Sequence, residues 1–254
     1  MSHSEQTRLT YANYLHLKEL LKLQKPKSAS EHEILFIVVH QCAELFFKCA
    51  LEQSKKLLYE FDRNNVENVS TRISRLTAIV ETASAIMKYQ ENLTPFEFAE
   101  FRPALGTASG AQSEQFKRLL ADSTRYREAF VRLLQRRRLL KYIDEPEEVL
   151  NAVRRVYSEP RFSKLMKIAD ALYDYEEAFK DHRWQHLKVV RRVIGKAPGT
   201  GGTSGLQFLE ERLASSIFEE LTLVRSQIVN IRSAMNVRKR SEADEQRKTS
   251  KLKK

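Results

Sequence analysis

The chain has 254 residues, of which 42% are aliphatic or aromatic, enough for one large core or two small ones and too apolar for overall disorder. It holds only 7 glycines and 6 prolines, against about 18 glycines at an average usage of roughly 7%, which excludes a turn-rich β-sandwich and leaves room for long helices. The net charge is +11, and the tail Arg238–Lys254, with eight basic and three acidic residues, carries +5 of it; lacking interleaved aromatics and any nucleic-acid motif, this charge reads as a solvated surface with a disordered end, and nucleic acid is not an expected partner.

The longest apolar run, Ile34–Val39, is six residues, far below the roughly 20 that span a bilayer. With no signal-peptide pattern at the N-terminus, a cytoplasmic protein without a membrane partner is expected. Thr10–Lys22 is predicted as a short amphipathic helix. Ser30-x-x-Glu33 has the spacing of a capping box and is expected to open a long helix through Asp62. Cys42 and Cys49 lie seven residues apart on it, about 10 Å, too far for a disulfide, so both read as small buried hydrophobes in a reducing compartment. A third helix runs from about Val66 to Tyr89. Thr94-Pro95-Phe96-Glu97 is a second capping box, with proline at the first helical position, opening a short helix to Phe101. A loop over Arg102–Gly110, a helix over Ser113–Arg138, a small element near Glu147–Tyr157, a long helix over Phe162–Ile194 and a final helix over Gly205–Arg232 complete the chain. The expected fold is all-α, a single-domain helical bundle over residues 1–237, followed by the basic tail 238–254.

Polar residues interrupt two apolar faces. On Phe162–Ile194, the stripe Leu165, Ala169, Leu172, Glu176, Phe179, Arg183, His186, Val190 and Val193 contains three polar members, which need partners if buried. On the second long helix, Phe36, His40, Glu44 and Phe47 share a face. An inward histidine is most often a satisfied core residue; two of them, near an arginine and a glycine-rich loop, suggest a site. His182 and His186 have the i, i+4 spacing of a helical zinc pair, but the intervening residues lack the glutamate of the zinc protease motif and no cysteine lies nearby. A haem held between helices, with one imidazole on the iron and the other on the open face, needs only such a pair. Five of the seven glycines lie in Gly195–Gly205, between two helices, in neither a P-loop nor a dinucleotide-binding pattern. Bare amides there suit an anion or the close approach of a flat ligand; a flexible linker is the weaker reading, because Thr200 and Thr203 break the Gly/Ser monotony and the flanking helices are long.

Several segments, taken in order, resemble tryptophan 2,3-dioxygenases. They are Tyr11-x-x-Tyr14-Leu15, Leu35-Phe36-Ile37-Val38-Val39-His40-Gln41 with Glu44-Leu45, Phe101-Arg102 with Leu105-Gly106, and Ser109-Gly110-Ala111-Gln112-Ser113. Arg183-x-x-His186, Arg192-Val193-Ile194-Gly195 and Gly199-Thr200-Gly201-Gly202-Thr203-Ser204-Gly205 follow. The resemblance spans roughly residues 9–225. It implies a b-type haem enzyme, all-helical and homotetrameric, that uses O2 to cleave the indole C2–C3 bond of L-tryptophan, giving N-formylkynurenine in tryptophan catabolism. By this resemblance His186 is the axial iron ligand and His40 hydrogen-bonds the indole N–H. Arg102 clamps the substrate carboxylate, and Thr200 contacts its ammonium and carboxylate. Phe36 and Phe98 wall the indole, and Ser109 and Gly110 lie against the haem. Tyr11, Tyr14 and Leu15 reach a neighbouring subunit's pocket. His40 reads as an orienting group rather than an essential base.

The sequence also departs from that pattern. His182 stands where the family tends to have tryptophan, Cys42-Ala43 and Phe46 replace the usual residues after the distal His-Gln, Ala111 replaces a common phenylalanine, and the stretch between Ser113 and Arg183 is short. A related haem oxygenase that inserts one oxygen atom into an indole or other aromatic is therefore the nearest alternative. A non-enzymatic helical module that binds RNA or protein is the alternative from another class.

Overall fold

The computed structural model describes residues 9–202, 204–213 and 215–229. The basic tail and the end of the last predicted helix lie outside these residues. Every element described is helical, as expected for an all-α fold. In chain order these are α1 (Tyr11–Tyr14), α2 (Leu17–Leu20), α3 (Glu33–Asp62), α4 (Val66–Met87), α5 (Pro95–Phe101), α6 (Glu114–Arg136), α7 (Pro146–Ser158), α8 (Ser163–Ile194) and α9 (Leu206–Leu213), then α10, residues 219–229. Short 3₁₀ turns at Lys88–Asn92, Arg102–Leu105, Gly110–Gln112 and Pro160–Phe162 join them.

The long helices α3, α4, α6 and α8 form the bundle; α4 packs on both α3 and α8, and α3 also packs on α6. The main core runs from Ala43 and Phe47 on α3 through Leu76, Phe130 and Leu172 to Phe218, Leu221 and Val224 beside and within α10. Within it Ser123 Oγ lies 2.9 Å from the Tyr175 hydroxyl, whereas the Tyr126 hydroxyl is buried without a partner; at its edge Arg225 meets Asp170 and stacks on Tyr173. A second, smaller cluster of Leu93, Phe98, Phe101, Val189 and Val193 lies under the site, with Phe36, Leu105 and Ile194 packed against it.

Local chemistry explains where the structure departs from the sequence reading. The helix expected over Thr10–Lys22 is two single turns, α1 and α2, split at left-handed His16 (φ 52°). Neither turn has a buried residue, and so short a helix without tertiary packing does not hold together. The Ser30 capping box does not form. Ser30 Oγ donates to Glu100, while the Glu33 carboxylate accepts from Lys27 N, Ser28 N and Ser28 Oγ at 2.6–2.8 Å. Burial pushes the Glu33 carboxyl up, but these hydrogen bonds outweigh it and hold it below the ordinary range. The Thr94 capping box does form, with both reciprocal bonds to Glu97. Sequence reading missed a second one, Ser109 with Gln112. The predicted final helix is broken between α9 and α10, because Glu176 captures Ile217 N at 2.5 Å and Ser216 Oγ at 2.9 Å while Phe218 turns into the core.

The apolar run at the start of α3 is only partly buried. Val39 is covered, whereas Ile34, Leu35 and Val38 are exposed. By length and composition α3 is the one helix among the described residues apolar enough to cross a membrane. In the bundle it serves as a packing helix, with one face on α4 and α6 and another left open.

Candidate active site

Two helices bring two imidazoles to one cavity. His40 projects from α3 and His186 from α8, and both line a pair of adjoining cavities of ≈ 140 and ≈ 230 Å³. The cavities share these histidines with Gly110, Ala111, Phe208 and Leu209. Of the residues the sequence singled out, Phe36, Phe98, Arg102, Ser109 and Thr200 line the smaller one. Tyr11, Tyr14 and Leu15 do not reach either cavity; they stand on the surface, 77%, 69% and 40% exposed.

The state of His40 is set by its own helix. Nδ1 lies 2.8 Å from the Phe36 carbonyl one turn back. A carbonyl only accepts, so Nδ1 carries the proton and Nε2 presents a lone pair. The Gln90 amide nitrogen stands 3.1 Å from the same nitrogen; as both are donors it makes no hydrogen bond to the Nδ1 proton and only packs beside the ring. Burial lowers the His40 pKa, against the pull of the Phe36 carbonyl and Glu44, so the ring is neutral. The Phe36 ring packs on it at 4.2 Å between centroids, and Phe98 and Phe101 continue the aromatic wall.

His186 has no hydrogen bond to the described residues, and it keeps some surface open to the cavity. Burial, and secondarily His40, pushes its pKa down to about 4, which leaves a neutral imidazole with a free lone pair. Its Nε2–Cε1 edge faces Gly110, where a Cβ would stand 4.0 Å from both atoms. The third polar member of the α8 stripe, Glu176, is satisfied by the α9–α10 connection. Arg183 donates to the Arg212 carbonyl and Ser215 Oγ.

The glycine-rich loop closes the opposite wall. Arg102 Nη2 donates to the Pro198 carbonyl at 2.7 Å, and Thr200 Oγ1 donates to the Ala108 carbonyl at 2.5 Å. The two loops approach so closely at Gly201 that a Cβ there would lie 2.5 Å from Ser109 Cβ. A linker makes no such contacts. The loop is therefore a built wall, in which Gly201 leaves no room for a side chain against Ser109 and Gly205 none against the Ala197 carbonyl.

Among the described residues no three His, Cys, Asp or Glu side chains gather to hold a bare metal ion, so the His182–His186 pair lacks the ligands of a zinc centre. One unpartnered neutral imidazole on an apolar cavity is instead the donor set for an iron already held by a porphyrin. Sequence reading missed Gln90, Phe208 and Leu209. Gln90 sits in a 3₁₀ turn with no motif around it, and the apolar pair in α9 was its only signal for Phe208 and Leu209.

This geometry agrees with the comparisons. The family described as tryptophan 2,3-dioxygenase matches residues 1–132 and 124–228. The chain belongs to the tryptophan 2,3-dioxygenase family. It is 32% identical to the tryptophan 2,3-dioxygenase of Bradyrhizobium sp. (strain ORS 278), over 86% of this chain and 92% of that protein. Identity is also 32% to the enzyme so named from Erythrobacter litoralis (strain HTCC2594), over 87% of this chain and 98% of that protein. It is 31% to that of Rhodococcus jostii (strain RHA1), over 87% and 92%.

Proposed function

We propose that this protein is a cytoplasmic haem-dependent dioxygenase that cleaves the indole C2–C3 bond of L-tryptophan with O2 to give N-formylkynurenine. The observation that carries this reading is the pair of neutral imidazoles, His40 and His186, brought from separate helices to one apolar cavity with Arg102 on its wall. The family membership supports the substrate and the reaction.

His186 Nε2 would hold the iron of haem b, with Ser109 and Gly110 against the macrocycle. When bound, the ferrous haem supplies the binding and activation of O2. The chain's own residues do the rest by position. His40 Nε2 accepts the indole N–H, because Nδ1 is committed to the Phe36 carbonyl. Phe36 and Phe98 wall the indole and exclude water. Arg102 has one guanidinium nitrogen tied to the Pro198 carbonyl, which aims the remaining donors into the cavity for the substrate carboxylate. Thr200, on the same wall, takes the ammonium end.

The working protein is proposed to be a homotetramer. Exposed Tyr11, Tyr14 and Leu15, together with the open apolar face of α3 at Ile34, Leu35 and Val38, support an assembly in which a second copy covers them.

Two measurements test the reading. Protein loaded with haem is expected to show a Soret band that His186→Ala loses; full haem loading in that variant overturns the iron assignment. With ¹⁸O-labelled O2 and L-tryptophan, mass analysis is expected to find two labelled oxygen atoms in the product. One labelled atom means the monooxygenating reaction instead, and colourless protein with salt-dependent RNA binding means a binding module.

A further inference from the structure

The smaller cavity contains a hydrogen-bond donor without a task. Gln90 lines it beside His40, Leu93 and Phe98 and is 4% exposed. Its 3₁₀ turn, Lys88–Asn92, is held on two sides. Leu93 N donates to the Gln90 carbonyl at 3.1 Å, and the Glu91 carboxylate accepts from Gln185 and meets Lys188 at 3.5 Å, both on α8. The Gln90 side-chain nitrogen reaches His40 Nδ1 but finds another donor there, and the nearby Phe36 carbonyl is taken by the same ring. Among the described residues no acceptor takes its hydrogens.

A buried donor without an acceptor is costly, so the acceptor that Gln90 lacks comes from a ligand. The indole of L-tryptophan does not bring one: its only hydrogen-bonding atom is the N–H, a donor, which His40 takes in the reading above. The reaction itself makes two acceptors. The C2–C3 bond breaks, each of the two carbons gains one atom of O2 as a carbonyl oxygen, and no other co-reactant enters or leaves. C2 is bonded to the indole nitrogen, so its oxygen forms nearer to His40 and to the amide beside it. We propose that Gln90 is a further catalytic residue, its side-chain N–H donating to the oxygen placed on C2, the formyl oxygen of the product. This rests on the dioxygenase reading above and adds to it a contact that exists only once oxygen has entered. Such a contact favours the oxygenated states over the bound substrate, and so raises the rate rather than the affinity for L-tryptophan.

The test titrates ferric, haem-loaded protein, which binds these ligands without turning them over, and follows the Soret band. The probes are N-formylkynurenine, L-kynurenine, which lacks only the formyl group, and L-tryptophan. Wild type is expected to bind N-formylkynurenine about fivefold to tenfold more tightly than L-kynurenine, the worth of one hydrogen bond; equal binding overturns the proposal without any variant. In Gln90→Met, close in length and without a donor, that difference is expected to disappear, while L-tryptophan stays within about twofold of wild type. Product formation in a single turnover of the ferrous protein is expected to slow by about fivefold to tenfold in this variant. A difference that survives in Gln90→Met, an unchanged single turnover, or an equal loss for L-tryptophan and product, which would make Gln90 only a support for His40, overturns the proposal. Failure of the dioxygenase reading itself looks different: wild type then forms no N-formylkynurenine from L-tryptophan.

Discussion

Arg102 and His40 act through single atoms, and their roles separate in measurement. Arg102→Ala is expected to weaken binding of L-tryptophan about 10- to 100-fold, the range for a lost charge-assisted hydrogen bond, and to leave plain indole nearly unchanged; equal losses in a binding titration would remove the carboxylate clamp. On the proposed role, in which His40 Nε2 accepts the indole N–H, His40→Ala is expected to cost about tenfold in kcat/KM, mostly through KM. A loss of several orders of magnitude in kcat would make it an essential base. His182 and His186 also carry a stability signature. Their folded pKa values are about 4, against an ordinary 6.5, so between these values the unfolded chain binds more protons than the native one. The apoprotein should therefore have full stability above about pH 6.5, lose it as pH falls toward 4 and level off below. In thermal melts across this window His182→Phe should flatten the fall, by on the order of 2 kcal/mol.

At the scale of elements, the site exists because three loops meet α3 and α8. The glycine-rich loop illustrates what is demanded of such a wall. Gly205 has φ +64°, and a Cβ would stand 2.6 Å from the Ala197 carbonyl oxygen. Gly106 has φ +56° and open space around it. Gly106→Ala should therefore cost only the strain of a positive-φ backbone that L residues rarely adopt, about 1–3 kcal/mol, whereas Gly205→Ala must also displace backbone. In L-tryptophan titrations of the loaded protein, Gly205→Ala is expected to give the larger loss, because it moves the loop that carries Thr200; equal effects would mean that the loop contributes no wall. The same scale explains the broken final helix. A continuous apolar periodicity over residues 205–232 ignores Glu176, whose carboxylate needs donors and obtains them by opening the backbone at Ser216–Ile217.

For the whole molecule, the apolar surface left open is the informative feature. Tyr11, Tyr14, Leu15, Ile34, Leu35 and Val38 are exposed in one chain, more apolar surface than an isolated protein usually gathers near its N-terminus. Light scattering is expected to give the mass of four chains, and Tyr11→Ser with Tyr14→Ser to lower that mass or loosen the assembly. A monomeric wild type would overturn the tetramer.

Read alone, the sequence determined the helical class, the boundaries of α3, α6 and α8 to within about two residues, and the apolar stripe of α8, but not which residues of the run Ile34–Val39 are covered. Periodicity and the scarcity of glycine act locally, so they are visible in one dimension. It also placed His40, His186, Phe36, Phe98, Arg102, Ser109, Gly110 and Thr200 in one group through motif resemblance. Only the tertiary structure brought these eight to one pair of cavities, because residues from three helices and three loops meet there, from Phe36 to Thr200 along the chain. It alone decided that Ser30 does not cap α3, since Glu33 finds better donors in Lys27 and Ser28. It alone set Gln90 beside His40 and left His182 Nδ1 without a partner. A hydrogen bond needs two atoms at 2.7–3.2 Å, and no pattern along the chain specifies that distance between residues that only packing makes neighbours.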